Sequence, residues 1–167
     1  MKKMLGTSLL TASLLVSGAT AATAEAKPTL GPHGYGSLKL GMSLEQAKAT
    51  GTIVRKKSVK EGRCTGWDLK NFPTAKDEAN VYISSKRGVA AIFAGKKVKT
   101  PQGIKIGSTY KQVKAAHPRM KKWADSVWTA KVPGNKKAHY TFYFDEFDTK
   151  VVAFGILLDK QDCNLAY

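Results

Sequence analysis

The sequence predicts an α+β fold, a tandem repeat of strand–helix–three strands that forms an antiparallel sheet with its helices on one face. Three observations lead there. The segment Leu38–Ala49 recurs as Ile104–Ala115, and Lys39, Gly41, Gln46, Lys48 and Ala49 are matched by identical residues in the second copy. Each copy is followed by β-prone runs separated by turn residues. The 167 residues, 43% hydrophobic and 24% charged, have the composition of a folded chain and are too few for an α/β barrel.

Residues 1–26 read as a secretory signal peptide. Lys2 and Lys3 precede an apolar run through Leu9, Leu10, Leu14, Leu15 and Val16, and small-residue cleavage sites end at Ala26. No later run is long and apolar enough to cross a bilayer. The first repeat unit occupies 27–99 and the second 100–167, together one joint domain. Lys27–Gly36, rich in Pro and Gly, is expected to be an irregular lead-in. In each unit a short β-friendly run, Leu38–Leu40 or Ile104–Ile106, leads through a glycine into a helix. Ser43 with Gln46, and Thr109 with Gln112, fit the capping box. The first helix stops near Gly51 and the second before Pro118. Strands follow at Cys64–Lys70, Val81–Ser84 and Val89–Phe93, with Ser85–Gly88 as a hairpin turn. In the second unit they fall at Val127–Val132, His139–Asp145 and Lys150–Leu158, with Glu146–Thr149 as the turn. Asn71–Asn80 and Pro133–Lys137 read as loops, and Lys96–Gln102 joins the units. Val151–Leu158, almost wholly apolar, is expected to be a central, well-covered strand.

Export implies an oxidising compartment, where the two cysteines, Cys64 and Cys163, read as a disulfide. Closing a loop of about 100 residues adds up to about 4–5 kcal/mol by chain entropy. Two distant cysteines supply too few ligands for a metal site. The sequence contains no G-x-S-x-G, H-E-x-x-H, Walker loop or paired C-x-x-C. His33, His117 and His139 are far apart, with no acid-and-nucleophile pattern beside them. Asp145, Glu146 and Asp148 gather in a turn without the spacing or glycine of a calcium loop. The expectation is a protein without catalytic residues, metal or cofactor.

Twenty-eight Lys and Arg face 12 Asp and Glu, a formal charge of +16. The excess is mostly Lys, which disfavours geometric reading of phosphates or bases and hence specific nucleic-acid binding. Arg55, Lys56 and Lys57 follow the first helix, and Arg119, Lys121 and Lys122 follow the second. They read as two pseudo-equivalent basic patches able to attract an anionic cell-envelope polymer. In His139–Asp145, strand alternation sends Tyr140, Phe142 and Phe144 to the core. His139, Thr141 and Tyr143 then face the other way, joined by Tyr82, Thr129 and Lys131 from neighbouring strands. Such an open face suits recognition of a protein partner.

The pattern of glycine, Met or Ser, Ser or Thr, then Gln-Ala or Gln-Val resembles a duplicated family of small secreted actinobacterial proteins of unassigned activity. In that family one cysteine follows the first helix and another closes the chain, as Cys64 and Cys163 do. More remotely, Leu40-Gly41-Met42-Ser43 looks like a motif of the secreted beta-lactamase inhibitor proteins. A single copy is similar to the small lipoprotein of the outer-membrane barrel-assembly machine. The resemblance implies a non-enzymatic binding module, secreted or cell-wall associated, with an inhibitor-like role as one version.

Overall fold

The computed structural model describes residues 28–165. The predicted signal peptide, Lys27, Ala166 and Tyr167 lie outside the described residues. Glycine sets the entry to both helices, α1 (Leu44–Ala49) and α2 (Tyr110–Ala116). Gly41 and Gly107 hold φ of 80° and 86°, a left-handed conformation that a side chain strains. The turn they make aims Ser43 and Thr109 as N-caps, and both capping boxes are complete. Ser43 Oγ accepts from the Gln46 N–H at 3.2 Å, and Gln46 Oε1 accepts from the Ser43 N–H at 2.9 Å. Thr109 and Gln112 repeat this arrangement at 3.2 and 2.8 Å. Helices this short depend on tertiary packing. Ala47 and Val113 supply it, being fully buried in the same apolar cluster.

The strands after the helices form one antiparallel sheet. β4 (Ile53–Glu61), β5 (Cys64–Leu69), β6 (Val81–Ser84) and β7 (Gly88–Phe93) make a first meander. β8 (Lys121–Ala124), β9 (Val127–Val132), β10 (Asn135–Phe144) and β11 (Val151–Leu158) make a second. The order is β4-β5-β6-β7-β11-β10-β9-β8, so the last strands of the two meanders pair at the centre. Ile92 lies opposite Ile156 and Phe93 opposite Gly155 in that pair. A Cβ on Gly155 would stand 2.7 Å from the Phe93 ring and 2.9 Å from the Ile92 carbonyl, which explains the glycine. Each helix entry is tied to these central strands. Gly41 N–H donates to Val89 O at 2.8 Å and Gly107 N–H to Val151 O at 2.7 Å. Val89 and Val151 return bonds to the carbonyls of Met42 and Ser108.

Four expectations need correction, the first being the Pro133–Lys137 loop, because β10 already begins at Asn135, which pairs with Val132. Each half places four strands after its helix, not three, because the basic stretches after the helices become β4 and β8. Their Lys and Arg side chains hide the alternation, and charged residues on terminal strands hinder pairing with other chains. The lead-in is ordered: β1 (Leu30–Gly31), β2 (Gly34–Tyr35) and β3 (Leu38–Lys39) form a small antiparallel sheet. Leu30 and Leu38 are fully buried. The Tyr140 hydroxyl donates to Leu30 O at 3.0 Å, and burial pushes its pKa up to about 12. Finally, Ile104–Ile106 is not a strand, although Ile104 remains buried.

The larger core cluster gathers Trp67, Leu69, Val81, Ile83, Ile92, Tyr140, Phe142, Phe154 and Ile156. A smaller one holds Cys64, Ala90, Ala91, Leu157, Cys163 and Leu165. Cys64 and Cys163 form a disulfide across a sequence separation of 99. It fastens the segment after β11 to the start of β5. Ser84 Oγ adds a bond to Asp162 Oδ1, and the same oxygen accepts from the N–H groups of Lys86 and Arg87. Asp162 approaches the two sulfurs, but both are committed to the covalent bond. No helix among the described residues is long and apolar enough to cross a membrane.

The disulfide predicts a large stability difference between oxidised and reduced protein. Replacing both cysteines by serine should lower the unfolding free energy by about 2–5 kcal/mol in urea titrations. A loss below about 1 kcal/mol would show that the reduced, unfolded chain is already constrained.

Candidate functional site

Alternation along β10 places Tyr140, Phe142 and Phe144 in the larger cluster, as the sequence predicts. His139, Thr141 and Tyr143 take the opposite face. There Tyr82 of β6 meets Phe93 of β7 edge-on at 6.0 Å, and Phe93 meets Tyr143 of β10 at 6.1 Å. β11 runs between β7 and β10, and its Gly155 leaves room for the Phe93 ring. The three half-buried rings thus form one stripe drawn from both meanders. Burial raises the Tyr82 pKa, with the carboxylates of Glu61 and Glu78 adding to the effect, so its hydroxyl remains protonated. Phe93 is absent from the sequence-derived set. Its signal was the pairing with a glycine, legible only once the β7–β11 register is known.

Thr141 departs from expectation. It is fully buried, and its Oγ1 has no hydrogen-bond partner among the described residues. Flanked by Thr129 and Gly155 in register, it lies beneath the surface of this face and not on it.

Thr129, Lys131 and His139 instead meet residues of the second basic patch. Lys121 pairs with Thr129, and Lys131 pairs with His139, so their side chains share one face of the sheet. With Arg119 and Trp123 they line a cleft of about 580 Å³. Leu158, Asp159 and Gln161 line it from the chain that leaves β11. Asp159 Oδ1 contacts His139 Nδ1 at 2.8 Å. Among the described residues no carboxylate pairs with Arg119, Lys121 or Lys131. Trp123 is 66% exposed at this site. Lys122 stands apart, 3.2 Å from Asp125.

The first basic patch is not the equivalent expected. Lys56 Nζ lies 3.4 Å from Asp68 Oδ2 and donates to the carbonyls of Thr74 and Ala75 at 3.1 and 2.7 Å. Arg55 donates to Gly66 O at 2.7 Å, with its guanidinium 5.3 Å from the centre of the Trp67 ring. Both cations therefore serve the fold, while Lys57 is exposed. The reason is Asp68, buried on β5, which the count of net charge could not assign to any lysine.

The remaining titratable groups are dispersed. Asp145 accepts from the Thr149 N–H and hydroxyl and from the Lys150 N–H. The Thr149 bonds hold its carboxyl below the usual range, which is turn chemistry. His117 is buried against Tyr140 and Phe142, with ring centres at 5.7 and 5.4 Å, and its Nε2 has no hydrogen-bond partner among the described residues. No protein-family model, curated protein or solved structure matches this chain.

Burial lowers the His117 pKa, which fixes the sign of a pH effect. The unfolded chain takes a proton on this ring near pH 6.5 and the folded protein resists it. Stability is therefore fully present above about pH 6.5 and declines as pH falls below it. His117→Phe should flatten the pH dependence of the unfolding free energy between about pH 7 and 5.5. An unchanged slope would mean that other groups set it.

Proposed function

We propose that this protein is a secreted, non-enzymatic binding module that presents its open sheet face to a protein partner. The observation that carries the reading is the stripe Tyr82–Phe93–Tyr143 beside the cleft at Lys121 and Lys131. Aromatic rings, two of them bearing hydroxyls, bordered by cations, offer the mixture of apolar area and polar handles that dominates protein interfaces. In this reading the chain is a tandem duplication whose two helices cover one face of the sheet and leave the other for recognition. The matching capping boxes, and the matching bonds from Gly41 and Gly107 to the central strands, support the duplication. The resemblance to duplicated secreted actinobacterial proteins and to the beta-lactamase inhibitor proteins supports an extracellular or cell-wall location and an inhibitor-like role.

A second reading, electrostatic attachment to an anionic cell-envelope polymer, draws on the cations Arg119, Lys121 and Lys131, which lack acidic partners among the described residues. It requires retention that collapses as salt rises.

The test uses the mature, oxidised protein as bait against secreted and cell-wall fractions, washed at low and then high salt. A protein retained at high salt should bind the double variant Tyr82→Ala/Tyr143→Ala at least about tenfold more weakly, the cost of losing interface aromatics. Melting temperatures of bait and variant establish that both are folded. Equal retention by the folded variant would remove the stripe from the interface, and release of wall material by salt alone would favour the polymer.

A further inference from the structure

The two meanders differ at one position that decides where counter-charge comes from. Asp68 and Lys131 are each the fifth residue of their meander's second strand, β5 and β9. Both point away from the larger core cluster, since Trp67 and Leu69 on one strand, and Ala130 and Val132 on the other, point into it. In the first meander the carboxylate of Asp68 answers Lys56 of the terminal strand. In the second, the same place holds a lysine, beside Lys121 of the terminal strand and Arg119 just before it. Among the described residues Asp159 is the carboxylate that lines this cleft, and it contacts His139 at 2.8 Å and forms an ion pair with none of the three cations.

The form of the site narrows what supplies the counter-charge. The cleft is short, and the segment after β11, fastened by Cys163, contributes its lining residues Asp159 and Gln161. Asp159 would repel a uniformly charged polymer at that end, and the engagement of Lys56 by Asp68 removes the second patch that a long track needs. A peptide can place carboxylates against Arg119, Lys121 and Lys131 and apolar side chains against Trp123. We infer that the cleft docks an acidic peptide segment of the protein partner. This rests on the binding-module reading above.

The experiment takes the mature, oxidised protein and a fluorescein-labelled decapeptide alternating Glu and Val. A Gln–Val decapeptide and linear polyphosphate are the comparison probes. At physiological salt the Glu peptide should raise anisotropy saturably and protect Trp123 from acrylamide quenching. The Gln peptide should bind at least tenfold more weakly. Lys131→Glu and, separately, Lys121→Glu should each weaken the Glu peptide at least tenfold, whereas Lys111→Glu on α2, with the same charge change, should alter it less than twofold. Circular dichroism identifies folded variants, and either cleft variant suffices. The inference is overturned if the Glu peptide does not bind, or if Lys111→Glu costs as much as the cleft variants, since a diffuse field then explains the attraction. It is also overturned if polyphosphate binds more tightly and displaces the peptide. If the Glu peptide fails while the tyrosine variant still loses the partner, only the cleft assignment falls. If the peptide binds while the tyrosine variant keeps the partner, the stripe falls instead.

Discussion

The antiparallel pairing of β7 with β11 is the constraint on which the rest of the structure depends. It joins two meanders into one sheet, and through Val89 and Val151 it anchors the entries of both helices. It also sets Phe93 opposite Gly155, so that a ring from the first meander reaches Tyr143 of the second. The aromatic stripe therefore belongs to neither half alone. Shifting this register by one residue would put Ile92 and Ile156 on opposite faces of the sheet and take one of them out of the core.

Charge divides the same sheet into two chemically different ends. The +16 excess is spread along the chain, yet its consequences depend on single neighbours. Lys56, enclosed beside Asp68 and two carbonyls, behaves as a structural cation. Nearby, a Cβ on Gly66 would stand 2.6 Å from the Val59 side chain, so that end of the sheet is filled from within. Around Lys131 nothing comparable closes in, and a cleft remains. The two ends of one sheet thus differ in how their cations are held.

Much of this was legible in the sequence because it rests on local rules. The two capping boxes, the Val81–Ser84 strand and the inward turn of Tyr140, Phe142 and Phe144 follow from spacing, and the disulfide from the expectation of export with only two cysteines to pair. The strands β4 and β8 were hidden because their exposed positions carry Lys and Arg, which blur the apolar period of two. The lead-in sheet was hidden because Leu30 and Leu38 are apolar positions isolated among glycines, buried only by partners distant in sequence. Thr141 was assigned to the correct face but not to its depth, which depends on what covers it. The asymmetry between Asp68 and Lys131 needed the strand register, and Phe93 needed its partner glycine. Faces could be read from alternation; neighbours across the sheet could not.

The claim that one sheet unites both halves is tested most directly by native-state hydrogen exchange on the oxidised protein. Amides of β5–β7 and β9–β11 should share a single ceiling of protection, equal to the free energy of global unfolding, with β4 and β8 exchanging sooner. Separate ceilings for the two meanders, with the β7–β11 amides following the weaker one, would contradict it and make the sheet two units that only touch.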